Sequence, residues 1–196
     1  QMNDQIAEGI GTVNSREYEL KSIADNSKYS VSSFGVEMDY GQETSLGRMF
    51  VKGTVIGQSG TIEGVNFVPL NGATNPNTNY DLSTFLGRGE LGLQFGPNQL
   101  TYTVLYASGD GNEQDGDFDA FIATDVDFSD SMIFQENMTS DDYFAETPYI
   151  LDKGYFMNKL QLDHKVAANI TVSGMIVYNR LAEDIALADG SSSKDL

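Results

Sequence analysis

The strongest constraint on this chain is an alternation of period two, cleanest between Phe85 and Ala107, FLGRGELGLQFGPNQLTYTVLYA. In the first half Gly89, Leu91, Leu93 and Phe95 share one face, and Arg88, Glu90, Gly92 and Gln94 share the other. In the second half Leu100, Tyr102, Val104 and Tyr106 oppose Thr101 and Thr103. Successive side chains of a strand point to opposite sides, so the pattern predicts two half-buried strands joined by the turn Gly96-Pro97-Asn98-Gln99.

The same alternation recurs along the chain. Phe34, Val36, Met38 and Tyr40 oppose Ser33, Gly35, Glu37 and Asp39; Met49, Val51 and Val55 oppose Arg48, Lys52 and Thr54, with Phe50 breaking the pattern. Phe156, Leu160, Leu162 and Val166 oppose Lys159, Gln161, Asp163 and Lys165. After the turn Ala167–Asn169, Ile170, Val172, Gly174, Ile176 and Tyr178 oppose Thr171, Ser173 and Asn179, with Met175 and Val177 as apolar exceptions. Strands are thus expected near 29–40, 48–57, 84–95, 100–107, 155–166 and 170–180 of one β segment over 1–196. The stretch Tyr18–Ile23 fits a strand or a short helix equally well.

The links between these strands alternate in length: short at Gly41–Gly47, long at 58–80, short at Gly96–Gln99, long at 108–152, short at Ala167–Asn169. A soluble sandwich has no reason to gather its short links at one end and its long links at the other. A transmembrane β-barrel has, because its periplasmic turns are short and its extracellular loops long. Strands of 9–13 residues suit a tilted crossing of the hydrocarbon layer, and aromatic residues near their ends (Tyr40, Phe95, Tyr106, Tyr155, Tyr178) suit an interfacial girdle. The expected fold is therefore all-β, an antiparallel up-and-down transmembrane β-barrel with long acidic extracellular loops. Six strands are too few for closure, which single-chain barrels reach at about eight. The remaining strands are expected from further chain or from an oligomer.

Composition narrows the function. A net charge of −18 in 196 residues argues against a nucleic-acid partner, since phosphate binding needs clustered Lys and Arg. Thirteen of the acids lie in Ser108–Asp152, which holds no Lys or Arg. With no cysteine there is neither a disulfide framework nor a thiolate metal site. No run approaches the roughly 18 apolar residues of a transmembrane helix. The chain opens on Gln1 without a basic, then apolar, leader, so a signal peptide is expected to have been removed and the chain to be a processed or partial piece.

Two stretches, LTYTVLYASGDGNEQDGDFDAF (Leu100–Phe121) and LQLDHKVAANITVSGMIVYNRLAEDI (Leu160–Ile185), resemble bacterial outer-membrane β-barrels of the porin or alginate-export type. The first is similar to a strand leaving into an acidic SGD-type surface loop. The second is similar to a tight two-strand unit followed by an AED segment. The resemblance implies a channel in the bacterial outer membrane for passive passage of small solutes, with the bilayer, and a homo-oligomer or partner protein, as neighbours. One departure is that such barrels usually end on an aromatic residue, whereas this chain ends in Leu196 after a polar tail.

In a barrel the polar faces line the lumen, which makes Arg48, Lys52, Arg88, Lys159 and Lys165, with Glu37, Asp39, Glu90 and Asp163, the candidate pore lining. Charged rings set ion selectivity, so a basic ladder favours an anionic solute. The competing account is that these charges pair with one another across neighbouring strands and merely keep the lumen wet; Arg88 and Glu90, two apart on one face of the same strand, can pair as well. A second candidate is Asp110, Asn112, Asp115, Asp117 and Asp119, whose oxygens are of the kind Ca²⁺ takes, although the spacing is not that of an EF-hand. A solvated acidic loop explains the same residues. No cofactor is otherwise expected and no enzyme signature is present: the single histidine, His164, sits beside a turn, and Ser191-Ser-Ser-Lys194 matches SxxK by letters only. Two other functional classes fit the same residues. One is a secreted β-sandwich binding carbohydrate or calcium, and the other a barrel sleeve holding a partner protein.

Overall fold

The computed structural model describes residues 18–69, 79–112, 115–121, 153–186 and 192–195. They form β1 (Tyr18–Thr44), β2 (Gly47–Pro69), β3 (Asn79–Phe95), β4 (Asn98–Ala107), β5 (Asp117–Phe118), β6 (Tyr155–Ala167), β7 (Ile170–Ala186) and β8 (Ser192–Asp195). Seven of these make one sheet in the order β1-β2-β3-β4-β6-β7-β8, every pairing antiparallel, and the two-residue β5 lies parallel to β3 off that path. The meander is up-and-down and open: β1 and β8 stand at its two ends.

The turns are tighter and the strands longer than the sequence pattern predicts. Phe95 pairs with Asn98, so the expected four-residue turn shrinks to Gly96 and Pro97. β2 continues to Pro69 through QSGTIEG, which its composition marks as loop. Here β2 is held on both sides, Gly60 facing Val31 on β1 and Leu82 on β3, and ladder hydrogen bonds do not depend on the side chain. A Cβ on Gly60 would stand 1.8 Å from the Ser30 carbonyl oxygen, so this glycine permits a close approach within a strand and does not mark a loop. The ambiguous Tyr18–Ile23 stretch is strand, and so are Ser192–Asp195, which rules out the helix that SxxK chemistry needs.

The register sorts the side chains into two faces. One row of directly opposed residues runs Tyr40, Val51, Leu91, Tyr102, Leu160, Ile176; its neighbour on the other face runs Asp39, Lys52, Glu90, Thr103, Lys159, Val177. On β4 and β6 their exposures are inverted relative to a water-soluble sheet. Tyr102 is 43 % and Leu160 45 % exposed, while Thr103 is 1 % and Lys159 7 % exposed. On β4 and β6 the apolar face is open and the mixed face is covered, whereas on β1 and β2 the mixed face is exposed as well, at Asp39 and Lys52.

The core lies on the covered face, at the end where the long links leave. Leu86, Leu105, Ala107, Tyr155 and Met157 form its centre, with Ile56, Val177 and Phe121 against them. Phe121 belongs to the segment after β4, which turns back: Ser108 N donates to the Phe85 carbonyl (2.9 Å) and Phe121 N to the Ser108 carbonyl (2.9 Å). The Phe50 that broke the alternation also lies on this face. Its ring fills the space over Gly92, where a Cβ would overlap it at 2.0 Å, so the glycine is the floor on which the aromatic rests.

Candidate functional site

All nine residues expected to line a pore fall on the mixed face by parity; Lys159 is buried there, Arg88, Glu90 and Asp163 are half-buried, and Glu37, Asp39, Arg48, Lys52 and Lys165 are exposed. Asp39, Lys52, Glu90 and Lys159 share one row; Glu37, Thr54 and Arg88 open the row nearer the long links; Arg48, Gln94, Gln99 and Asp163 lie in one nearer the turns. Lys165 follows at the turn end, opposite Thr171. The face is therefore divided. Its turn-end half is polar and charged, and its loop-end half is the apolar core, a division that the strand-by-strand alternation conceals.

Within the polar half several groups are paired. Arg88 reaches back across the border to Glu90, donating through Nη2 (2.8 Å) and Nε (3.2 Å) to one carboxylate oxygen. With side chains 36 % and 21 % exposed, the pair contributes about 0.2–1 kcal/mol, as partly solvated ion pairs do. Asp163 accepts from Ser173 Oγ and from Gln161 Nε2, so two uncharged neighbours that alternation leaves anonymous hold this carboxylate. The Lys52 amine lies 5.8 Å from the centre of the Phe50 ring, a cation–π approach, and makes no ion pair among the described residues. Glu43, opposite Arg48, joins the face by the same parity and was missed because Gly41–Gly47 reads as a linker.

A polar island interrupts the apolar half. Gln58 Nε2 donates to Ser33 Oγ (3.3 Å) and Thr84 Oγ1 donates to Gln58 Oε1 (2.9 Å), linking β1, β2 and β3. Tyr155, expected in an aromatic girdle, is buried on this face instead and donates to Asn179 Oδ1 (2.7 Å); its place at a strand end is right, but parity sends its ring to the core. Lys153, buried, donates to the Asp110 carbonyl (3.0 Å), and its own carbonyl accepts from Ala182 N and Glu183 N, tying together the chain leaving β4, the chain entering β6 and the end of β7.

The acidic candidates are used locally. Asp110 Oδ1 accepts from Asn112 N (2.9 Å), Asp115 Oδ1 accepts from Asp117 N (3.0 Å), and Asn112 Nδ2 donates to Asp115 Oδ2 (3.3 Å). Asp110 is buried while Asp115, Asp117 and Asp119 are exposed, and no group of three His, Cys, Asp or Glu among the described residues is placed to hold a metal ion. Burial first, then the carboxylates of Asp117, Asp115 and Glu183, raises the pKa of Asp119 above its ordinary value. The further acids Asp125, Asp127, Asp130, Asp141 and Asp142 lie outside the described residues. His164 is exposed on the apolar side, its Nδ1 2.7 Å from Asn98 Oδ1.

Comparison with protein-family models, with curated proteins and with solved structures finds no match to this chain. Its function is argued from the faces alone.

Proposed function

We propose that this sheet is part of an outer-membrane β-barrel through which small polar solutes, anions among them, pass without a chemical step. In this reading the open apolar face meets lipid and the covered face lines the lumen. The observation that carries it is the course of the apolar band. On β1 the band ends towards the turns at Tyr40, with Gln42 beyond. The row of Tyr40 meets β7 at Ile176, yet there the band continues to Ile170. Its other margin moves the same way, from Phe34 on β1 to Tyr178 on β7, whose row meets β1 at Met38. Over five pairings the band slips by about one residue per strand, which is what a flat hydrocarbon slab asks of strands tilted by about 40°. On β3 the run from Phe85 to Phe95 covers about 33 Å along the strand, or about 25 Å along the membrane normal at that tilt, the height of an outer-membrane apolar band.

Selectivity follows from the wall that remains unpaired. Arg88 is neutralised by Glu90, so in this reading a preference for anions rests on Lys52, Arg48 and Lys165 outweighing Glu37, Asp39 and Glu43, of which Asp39 lies opposite Lys52 and Glu43 opposite Arg48. Phase partition followed by planar-bilayer recording tests the reading. Recovery in the detergent phase with discrete conductance steps is expected. A monodisperse protein in the aqueous phase overturns it and leaves Leu91, Leu93, Tyr102 and Val104 to face a second sheet of a soluble sandwich.

A further inference from the structure

We infer that Arg48, Phe50 and Lys52 on β2 form a subsite for a flat ring that bears one carboxylate, the ring against Phe50 and the carboxylate on the cations; this rests on the passage reading above. The three residues occupy successive positions on the mixed face, about 7 Å apart along the strand. Phe50 stands in the row Gly41, Phe50, Gly92, with a glycine opposite it on each neighbouring strand. No side chain therefore rises beside the ring from β1 or β3 at its own level. The two glycines are covered differently. The Phe50 ring lies over Gly92, whereas the Arg48 guanidinium leans over Gly41, where a Cβ would stand 3.3 Å from Nη2 and 3.4 Å from Nε. Ring and guanidinium are thus drawn to opposite sides of β2, each into the space that a glycine leaves.

The cations keep their donors for a ligand. Asp39 and Glu43 stand opposite Lys52 and Arg48 on β1, yet among the described residues neither carboxylate makes an ion pair with either cation. Arg48 and Lys52 are exposed and Phe50 is half-buried, with the Lys52 amine 5.8 Å from the ring centre. A carboxylate beside Arg48 or Lys52 gains charge-assisted hydrogen bonds that a neutral solute lacks. A ring against Phe50 gains an aromatic contact that a small aliphatic acid lacks. Asp39 and Glu43 repel a second carboxylate, so the surroundings favour a ring with a single negative charge.

Chloride current through the full-length protein in planar bilayers reads the subsite when sodium benzoate or sodium acetate is added. Benzoate is expected to interrupt the current at a concentration about fivefold below that of acetate. Phe50→Leu, which keeps an apolar side chain over Gly92, is expected to raise the half-blocking concentration of benzoate about fivefold and to leave that of acetate unchanged, while Phe50→Tyr keeps the benzoate block. Arg48→Gln, at an exposed position, should weaken both anions. Equal block by the two anions, or a benzoate block that Phe50→Leu leaves unchanged, overturns the subsite and leaves the passage standing. A protein that inserts without conducting refutes the passage instead. Equilibrium dialysis of radiolabelled benzoate against the same protein in detergent then decides the subsite: binding that Phe50→Leu weakens sustains it, and binding that is absent or indifferent to Phe50→Leu overturns it.

Discussion

The two halves of the covered face come from the same strands, with the same alternation, and still differ in kind. Towards the turns, Lys52, Glu90, Gln161 and Asp163 stay polar and meet one another or their neighbours. Towards the long links, Leu86, Leu105, Tyr155 and Met157 are closed over and buried. Parity fixes which face a residue joins, but strand and level together decide its burial: Lys159 is buried in the row where Asp39 and Lys52 are exposed, and Glu37 is exposed in the row of buried Leu105 and Met157. The dry half exists because a loop returns to cover it.

The largest expected effect breaks this contrast within β4. Leu105→Ala should lose about 2–5 kcal/mol of unfolding free energy, since it opens a cavity in the covered core, whereas Leu100→Ala on the open face should lose about 1 kcal/mol or less. Denaturant titration in detergent measures both; equal losses would mean that the loop-end half is not a packed core. Next comes the contrast between faces. In a lipid host Leu160→Arg should cost about 2–4 kcal/mol and Gln161→Arg about 0–0.5 kcal/mol, and matching values would take lipid away from the open face.

The polar half can be sharpened by selectivity. Lys52→Ala is expected to move the reversal potential towards cations, while Arg88→Ala combined with Glu90→Ala, which removes a neutral pair, should leave it nearly unchanged. Equal shifts would show that the pair does not cancel. The smallest effect is on pH. Asp119 in the folded loop holds its proton above the ordinary carboxylate value of 3.8, so folding binds protons there. The stability this adds to the folded loop is then complete below that value and is lost as pH rises through the raised one. The groups facing Asp119 are Asp115 and Asp117 from its own segment and Glu183 from β7. Asp119→Asn should flatten the acid side of the pH dependence of unfolding free energy, and an unchanged profile would remove Asp119 from it.

Much of this architecture is legible in the residues themselves. Alternation places six strands and assigns Arg48, Lys52, Arg88 and Lys159 to one face because a period of two leaves no choice. It fails where pairing acts through backbone alone, as in the extension of β2 through Gly60 to Pro69, and where two signals compete, as at Tyr155, whose strand-end position says girdle and whose parity says core. The seating of Phe118, Ala120 and Phe121 on the sheet is hidden by their surroundings. Phe118, Ala120 and Phe121 stand among so many carboxylates that the segment reads as solvated, although the apolar letters in DFDAF are the ones that seat it.

The alternation of short and long links also sets an order of assembly. Each of the hairpins β1–β2, β3–β4 and β6–β7 closes over a two-residue turn and can form in about 1–10 μs without help from the others. Joining β4 to β6 must instead bring Ala107 beside Tyr155 across the longest link of the sheet, so the chain loses far more freedom before the first bond rewards it. Pulse-labelled amide exchange should find the hairpin ladders protected first and the β4–β6 ladder last, with the seat beneath Phe121 completed only after that seam has closed.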